Sequence, residues 1–237
     1  MGADPVVTAV VPALDEEDGI ATVVAGLLRQ GLVDEVVVVD NGSADATTPR
    51  ARAAGARVVR EPRRGYGRAC HAGVLAADGS DVIVLLDGDA ADDPGDLAAV
   101  LAPLLAGEAD LVVGSRGRAA RQRGAMTPQQ IAGNRVACGL MRALHGMRVT
   151  DLGPFRAIRR DQLLALDMAE MTYGWSAEMV VKAGRAGLRY REVPVGYRRR
   201  IGVSKVGGTL RGSVGAATAI TGAILRHSRW RPAGATA

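Results

Sequence analysis

The chain has 237 residues, 48% of them hydrophobic and 3% aromatic, with 30 Lys and Arg against 25 Asp and Glu. That length and apolar content suffice for one large domain with a core of Val, Leu, Ala and Ile. The net charge of +5 suits a phosphate-bearing or membrane-surface partner, whereas one Phe, two Trp and four Tyr are too few stacking groups for a nucleic-acid binder.

In chain order, Val6 to Leu14 reads as a buried strand ending near Pro12, followed by an acidic turn at Asp15 to Asp18. Ile20, Val23, Val24, Leu27 and Leu28 fall at helical spacing, and Gly31 stops that helix. Val36 to Val39 is a second strand, closed by Asp40-Asn41-Gly42-Ser43, and a short Ala-rich helix follows with Ser43 or Asp45 as its cap. Arg57 to Arg60 is a third strand, Gly65-Tyr66-Gly67 opens a helix through Leu75, and Val82 to Leu86 is a fourth strand running into Asp87-Gly88-Asp89. Pro94 begins a helix to Leu105, and Leu111 to Gly114 is a fifth strand. This alternation predicts an α/β fold, a mainly parallel sheet with helices on both faces. Beyond Ser115 the pattern changes to a basic loop at Arg116 to Arg123, one long helix over Pro128 to Leu144, and shorter elements. Residues 1–115 and 116–205 read as two halves of one domain, and 206–237 as a helical tail. That tail either closes on the domain or lies at an interface with Arg226, Arg229, Trp230 and Arg231 as its anchor.

Cys70 and Cys138 sit in no metal-ligand pattern and are expected to be free thiols in a reducing, cytoplasmic compartment. The N-terminus lacks the basic flank and long apolar run of a secretory signal. No segment reaches the roughly 18 uninterrupted apolar residues of a spanning helix.

Candidate chemistry gathers at strand ends. Asp15, Asp40 and the Asp87/Asp89 pair each follow a parallel strand, and open α/β sheets bind ligands at that edge. Two carboxylates on a Gly turn suit Mg²⁺ or Mn²⁺ holding a diphosphate, although Asp92-Asp93-Pro94 next door also fits a helix-capping loop. Gly114-Ser115-Arg116 puts an Arg at the same edge, a residue type suited to bidentate phosphate contact. Trp175 offers a flat face for a sugar ring or belongs to the core. Glu178 is the candidate general base or a surface carboxylate. The basic run Arg198-Arg199-Arg200 followed by Gly202 and Ser204-Lys205 suits a mobile clamp over a diphosphate.

Val11-Pro12-Ala13-Leu14-Asp15-Glu16-Glu17, Val39-Asp40-Asn41-Gly42-Ser43 and Asp87-Gly88-Asp89 together resemble the family-2 glycosyltransferases. Asp151-Leu152-Gly153-Pro154-Phe155-Arg156, Tyr173 to Glu178 and Tyr197 to Lys205 extend the likeness, specifically to the dolichyl- or polyprenyl-phosphate mannosyl- and glucosyltransferase branch. The resemblance covers about residues 6 to 205 and implies a GT-A fold, a nucleoside-diphosphate sugar donor and inverting transfer, with UDP favoured over GDP. It implies that Pro12, Ala13, Leu14 and Glu16 line the base and ribose pocket and that Asp40 bonds the base. Asp87, Gly88 and Asp89 would hold the metal and diphosphate, and Gly67 would close over the ribose. By the same likeness Arg116, Arg200, Ser204 and Lys205 face the leaving group, and Arg135, Asp151 and Trp175 face the acceptor. The implied acceptor is a polyprenyl phosphate, met at a peripheral position on the inner membrane face. The branch's Arg and Ser on the helix after the Gly-Ser-Arg strand are replaced here by Gln129, Gln130, Gly133 and Asn134, with Arg135 nearby. That departure keeps a soluble small-molecule, natural-product or carrier-bound acceptor in play. A nucleotidyltransferase and an inactive nucleotide-sugar-binding module are the remote alternatives.

Overall fold

The computed structural model describes residues 4–118, 121–202 and 210–232, with the side chains of 210–213 excepted. Seven strands form one sheet: β1 (Val7–Ala13), β2 (Glu35–Asp40), β3 (Arg57–Arg60), β4 (Val82–Leu85), β5 (Leu111–Ser115), β6 (Arg156–Arg159) and β7 (Tyr190–Pro194). Their order is β3-β2-β1-β4-β6-β5-β7, and every neighbouring pair is parallel except those made by β6, which runs antiparallel to both β4 and β5. The uniformly apolar runs predicted as strands are fully buried in β1, β4 and β5, as a sheet covered on both faces requires.

On one face lie α1 (Ile20–Arg29), α2 (Thr47–Ala53) and α4 (Leu97–Leu105). Ile20, Val23, Val24 and Leu27 of α1 pack there against Val7, Ala9 and Val11 of β1. On the other face lie α3 (Tyr66–Ala76), α5 (Pro128–His145), α6 (Arg160–Ala165) and α7 (Trp175–Arg185), which bury Cys70, Val74, Met141, Trp175 and Val180 in a second core. α5 starts at a capping box in which the Thr127 hydroxyl accepts from Gln130 N while Gln130 Oε1 accepts from Thr127 N. It ends at Gly146 in the left-handed conformation, φ 65°. The last helix, α8 (Leu210–Arg226), lies on α5 and α7, so the described part of the tail packs on the domain; Ala223 and Ile224 are fully buried. Trp230 packs there too, with Lys182 Nζ 5.1 Å from its ring centre, and is not a free anchor. Cys70 and Cys138 are buried thiols with no disulfide. Among the described residues no helix is long and apolar enough to cross a membrane.

The direction of winding reverses between β1 and β4. β1 continues outward to β2 and β3 while β4 starts the other half, so a crevice opens beyond the carboxyl ends of these strands.

Candidate active site

That crevice is a cleft of about 450 Å³. Pro12, Ala13, Leu14 and Glu16 from the end of β1 form one wall, and Asp87, Gly88 and Asp89 from the end of β4 form the next. Asn41, the Arg64-Gly65-Tyr66 turn, Tyr173 and Arg200 complete it. Thus the sequence-predicted Pro12, Ala13, Leu14, Glu16, Asp87, Gly88, Asp89 and Arg200 are brought together. Two residues at these strand ends, Asp15 (φ 49°) and Ala90 (φ 59°), hold left-handed backbone that L side chains rarely adopt, strain of the kind that collects at functional loops.

The carboxylates are individually constrained. Asp89 Oδ1 accepts from Ala91 N at 2.9 Å, and its Oδ2 lies 3.4 Å from the Arg200 guanidinium. Arg200 also donates to Glu16 Oε1 at 2.6 Å, and Ile201 N donates to Asp89 O at 2.9 Å, so the 197–202 segment is tied across the acidic edge. Asp87 Oδ1 accepts from the Tyr66 hydroxyl at 3.1 Å. Burial and the neighbouring Asp89 charge push the Asp87 carboxyl up to about 7, so the pair is charge-frustrated as it stands. A hard divalent cation would relieve that frustration. Two carboxylates leave most of its coordination positions to phosphate and water, as Mg²⁺ and Mn²⁺ prefer, and among the described residues no set of three or more Asp, Glu, His and Cys is arranged to hold a metal.

Asn41 organises the opposite wall. Its Nδ2 donates to the carbonyls of Glu61 and Arg63, both at 2.9 Å, and its Oδ1 accepts from Gly65 N at 2.7 Å. The turn it pins presses on the loop before α7. A Cβ on Gly65 or Gly67 would run into the backbone carbonyl of Met171 or Glu170, so close approach explains both glycines. Gly67 therefore supports the cleft from behind and does not line it. Asp40 is also set back: its Oδ1 accepts from Ser43 N at 2.8 Å, and Asn41 takes the lining position expected of it. Asn41, Arg64, Gly65, Tyr66, Ala69 and Tyr173 are the lining residues that the sequence did not single out. Each lies beside a quoted motif residue, and that adjacency was the available signal.

Arg116 and Asp151 meet each other. Arg116 Nε and NH2 donate to the two Asp151 oxygens at 2.9 and 2.6 Å, Arg116 N adds a bond of 2.7 Å, and the guanidinium lies 5.0 Å above the Tyr197 ring. Its fork is thus filled by a carboxylate. It lines a second cleft of about 350 Å³ between α5 and α8, with Gln129, Gln130, Gly133 and Asn134 on one side and Ala216, Ala217 and Ile220 on the other. Arg135 is exposed on α5 and is not among the residues lining that cleft.

Two expectations are corrected. Trp175 is 2% exposed and packs edge-on against His71, in the core, with no face open to a sugar. Glu178 is 0% exposed. Its oxygens accept from Ala169 N at 2.8 Å and Glu170 N at 2.7 Å, and Lys182 Nζ lies 2.8 Å away. Those bonds fix the loop that backs Gly67, so among the described residues Glu178 is a structural carboxylate with no exposed surface. The capping alternative at Asp92-Asp93 divides: Asp93 accepts from Gly95 N, but Asp92 is 2% exposed with neither oxygen hydrogen-bonded, and burial raises its carboxyl pKa. Ser204 and Lys205 lie outside the described residues.

The profile described as Glycosyl transferase family 2 matches residues 8–165. The chain belongs to glycosyltransferase family 2. An uncharacterized glycosyltransferase of Mycobacterium tuberculosis is 40% identical over 213 residues, 90% of this chain and 94% of its own. A dolichyl-phosphate hexose transferase of Haloferax volcanii is 36% identical over 200 residues, 81% and 82% of the two chains. Among solved structures, glucosyl-3-phosphoglycerate synthase of Mycobacterium tuberculosis, in complex with Mn²⁺, UDP and phosphoglyceric acid, superposes with a TM-score of 0.78. It is 26% identical, and the match covers 98% of this chain and 81% of that one. The fold is GT-A and the protein is a glycosyltransferase.

Proposed function

We propose that this glycosyltransferase moves a sugar from a UDP-sugar to a polyprenyl phosphate with inversion at the anomeric carbon, using Mg²⁺ or Mn²⁺ held by Asp87 and Asp89. The observation that carries the donor half is the single cleft joining Pro12–Glu16, Asn41 and Tyr66 to the Asp87/Asp89 edge. A UDP-sugar extended from β1 toward β4 would meet base-side, ribose-side and diphosphate-side groups in that order, and the solved relative with UDP and Mn²⁺ supports the choice of nucleotide. The bound cation would supply charge stabilisation for the departing diphosphate. Arg200, already beside Asp89, adds a second positive group there.

Two observations support a phosphate acceptor over a hydroxyl. Glu178, the candidate base, is sealed, and an anionic phosphate oxygen needs no base to attack C1 as the sugar–diphosphate bond breaks. The α5–α8 cleft is walled by small and apolar side chains of α8 and by the uncharged amides Gln129, Gln130 and Asn134 of α5, and its one charged lining residue among the described residues, Arg116, is already paired with Asp151. That lining suits a chain-bearing acceptor better than a small polyanion. The likeness to glucosyl-3-phosphoglycerate synthase supports the second reading, a soluble phosphorylated acceptor.

Labelled UDP-glucose, UDP-N-acetylglucosamine and GDP-mannose, each with Mn²⁺, with and without source membranes, then butanol–water partition, test both halves. Membrane-dependent label in butanol from a UDP-sugar is the expected result. Donor turnover with all label in water transfers the case to the soluble acceptor. No Mn²⁺-dependent release that Asp89→Ala abolishes would overturn the enzyme assignment at this cleft.

A further inference from the structure

The positive charge of this chain is segregated. Residues 117–150 and 193–237 contain no Asp or Glu, and together they carry 14 of the 30 basic residues. The remainder of the chain has 16 basic against 25 acidic residues, so the excess of +5 comes from these two segments alone. They are the segments that supply α5 and α8.

The two helices also expose apolar side chains on their free sides. On α5, Val136 is 60% and Leu144 is 49% exposed, with the half-buried Leu140 midway at i+4 spacing. On α8, Val214 and Leu225 are 55% and 54% exposed, with Ala217 and Thr221 between them at i+3 and i+7. Val136, Ala217 and Thr221 line the α5–α8 cleft, so each stripe reaches the cleft on one of two helices that pack on each other. Arg135 and Arg142, one heptad apart on α5, are exposed beyond Val136, and Arg229 and Arg231 are exposed after α8. An exposed apolar band bordered by arginine with no acidic residue on either helix is the composition of an interfacial surface.

We infer that the α5–α8 face docks on the surface of an anionic bilayer. The exposed leucines and valines would enter the headgroup boundary, the flanking arginines would pair with anionic headgroups, and the second cleft would open toward the lipid. Arginine beside exposed Val136, Leu144, Val214 and Leu225 favours an anionic bilayer over an acidic protein, since a bilayer takes up the apolar side chains as well as the charge. Nucleic acid finds no exposed aromatic on either helix for stacking. This inference deepens the acceptor reading, yet it stands on the surface alone and is tested without the acceptor.

The experiment is vesicle co-sedimentation of the full chain with phosphatidylcholine vesicles containing or lacking one-quarter phosphatidylglycerol, at low and at 0.5 M salt. The expected result is binding only to the anionic vesicles, weakened by salt. Arg142→Glu/Arg229→Glu should reduce partitioning by roughly 30-fold or more, the effect of losing two surface arginines. Leu144→Glu/Leu225→Glu should reduce it to a similar degree. The control, Arg29→Glu/Arg52→Glu on the opposite face, makes the same change in net charge and should leave binding intact. Mn²⁺-dependent release of UDP from UDP-sugar should stay at the wild-type level in all three variants. That separates loss of docking from failure of the donor site. Absence of binding to anionic vesicles, or equal loss in the control, would overturn the inference. Binding to duplex DNA with the same salt dependence and the same variant pattern would also overturn it, in favour of a general polyanion surface.

Discussion

Glu178→Gln separates a structural carboxylate from a catalytic one. Wild-type Glu178 accepts two backbone N–H groups and neutralises Lys182, itself 2% exposed. Glutamine keeps one acceptor but turns an NH₂ group toward the second N–H, a loss of about 1–3 kcal/mol. Lys182 retains the Asp167 carbonyl at 2.5 Å and the Trp230 ring, but it loses its counter-ion in a dry site. Breaking a buried pair by removing one partner costs about 3–5 kcal/mol, which already includes part of the first loss, so about 4 kcal/mol is expected. For a domain of this size that lowers Tm by roughly 10 °C. The assay is thermal unfolding followed by circular dichroism, with activity measured well below the transition. Lys182→Met added to Glu178→Gln removes the stranded cation and should restore much of the stability. A variant with wild-type Tm and a 100-fold lower kcat at unchanged KM would refute the structural assignment and reinstate Glu178 as the base.

Three further outcomes follow from the same geometry. Tyr66→Phe removes the hydroxyl that donates to Asp87, so apparent Mn²⁺ affinity measured by titrated UDP release should change several-fold, about 1 kcal/mol, with Tm nearly unaffected; an unchanged affinity would break that link. Gly67→Ala forces a methyl against the Glu170 carbonyl, which must displace the loop behind the cleft. The expectation is a raised donor KM and a lowered Tm, read by kinetics and calorimetry, and a silent substitution would contradict the close approach. His227 is buried beside Glu178 and Lys182, and burial holds its pKa below the ordinary value because Lys182 already offsets the Glu178 charge. Its depressed folded pKa makes the unfolded chain bind the extra proton, so stability is full above about pH 6.5 and falls as pH drops below it. Urea midpoints at pH 7.5 and 5.5 should differ less in His227→Gln than in wild type.

The donor cleft was legible because its information is local. Buried parallel strands must be apolar throughout, so a run such as Val82 to Leu86 ending in Asp87-Gly88-Asp89 marks both the strand and the edge it feeds. The acceptor side was less legible because its groups are satisfied by long-range partners. β6 reads Arg-Ala-Ile-Arg, which no periodicity marks as a central strand. Arg156 is nonetheless 1% exposed, its guanidinium held by the carbonyls of Gly153 and Ser176. Glu178 and Lys182 at i,i+4 look like a solvated surface pair, yet the 167–170 loop together with His227 and Trp230 after α8 folds against them and the pair is internal. Arg116 at a strand end has the form of a phosphate ligand, yet Asp151 lies 35 residues away in sequence and fills its fork.

That long-range pairing also fixes the distance between the two clefts. β6 is hydrogen-bonded to β4 through Leu85 opposite Arg156 and to β5 through Val113 opposite Arg156, so one residue registers the Asp87 edge against the Arg116 edge. Gly114 N donates to Phe155 O at 2.8 Å, and a Cβ on Gly153 would lie 2.5 Å from Gly114 O, so the chain before β6 sits directly on the end of β5. The 197–202 segment then spans both sites. Tyr197 lies under Arg116, Arg198 N donates to Ala91 O at 2.8 Å, and Arg200 reaches Asp89 and Glu16. A donor diphosphate that engages Arg200 therefore acts on the same short segment that carries Tyr197. Tyr197→Ala should change acceptor KM and donor KM together, whereas two independently built clefts would let one move without the other.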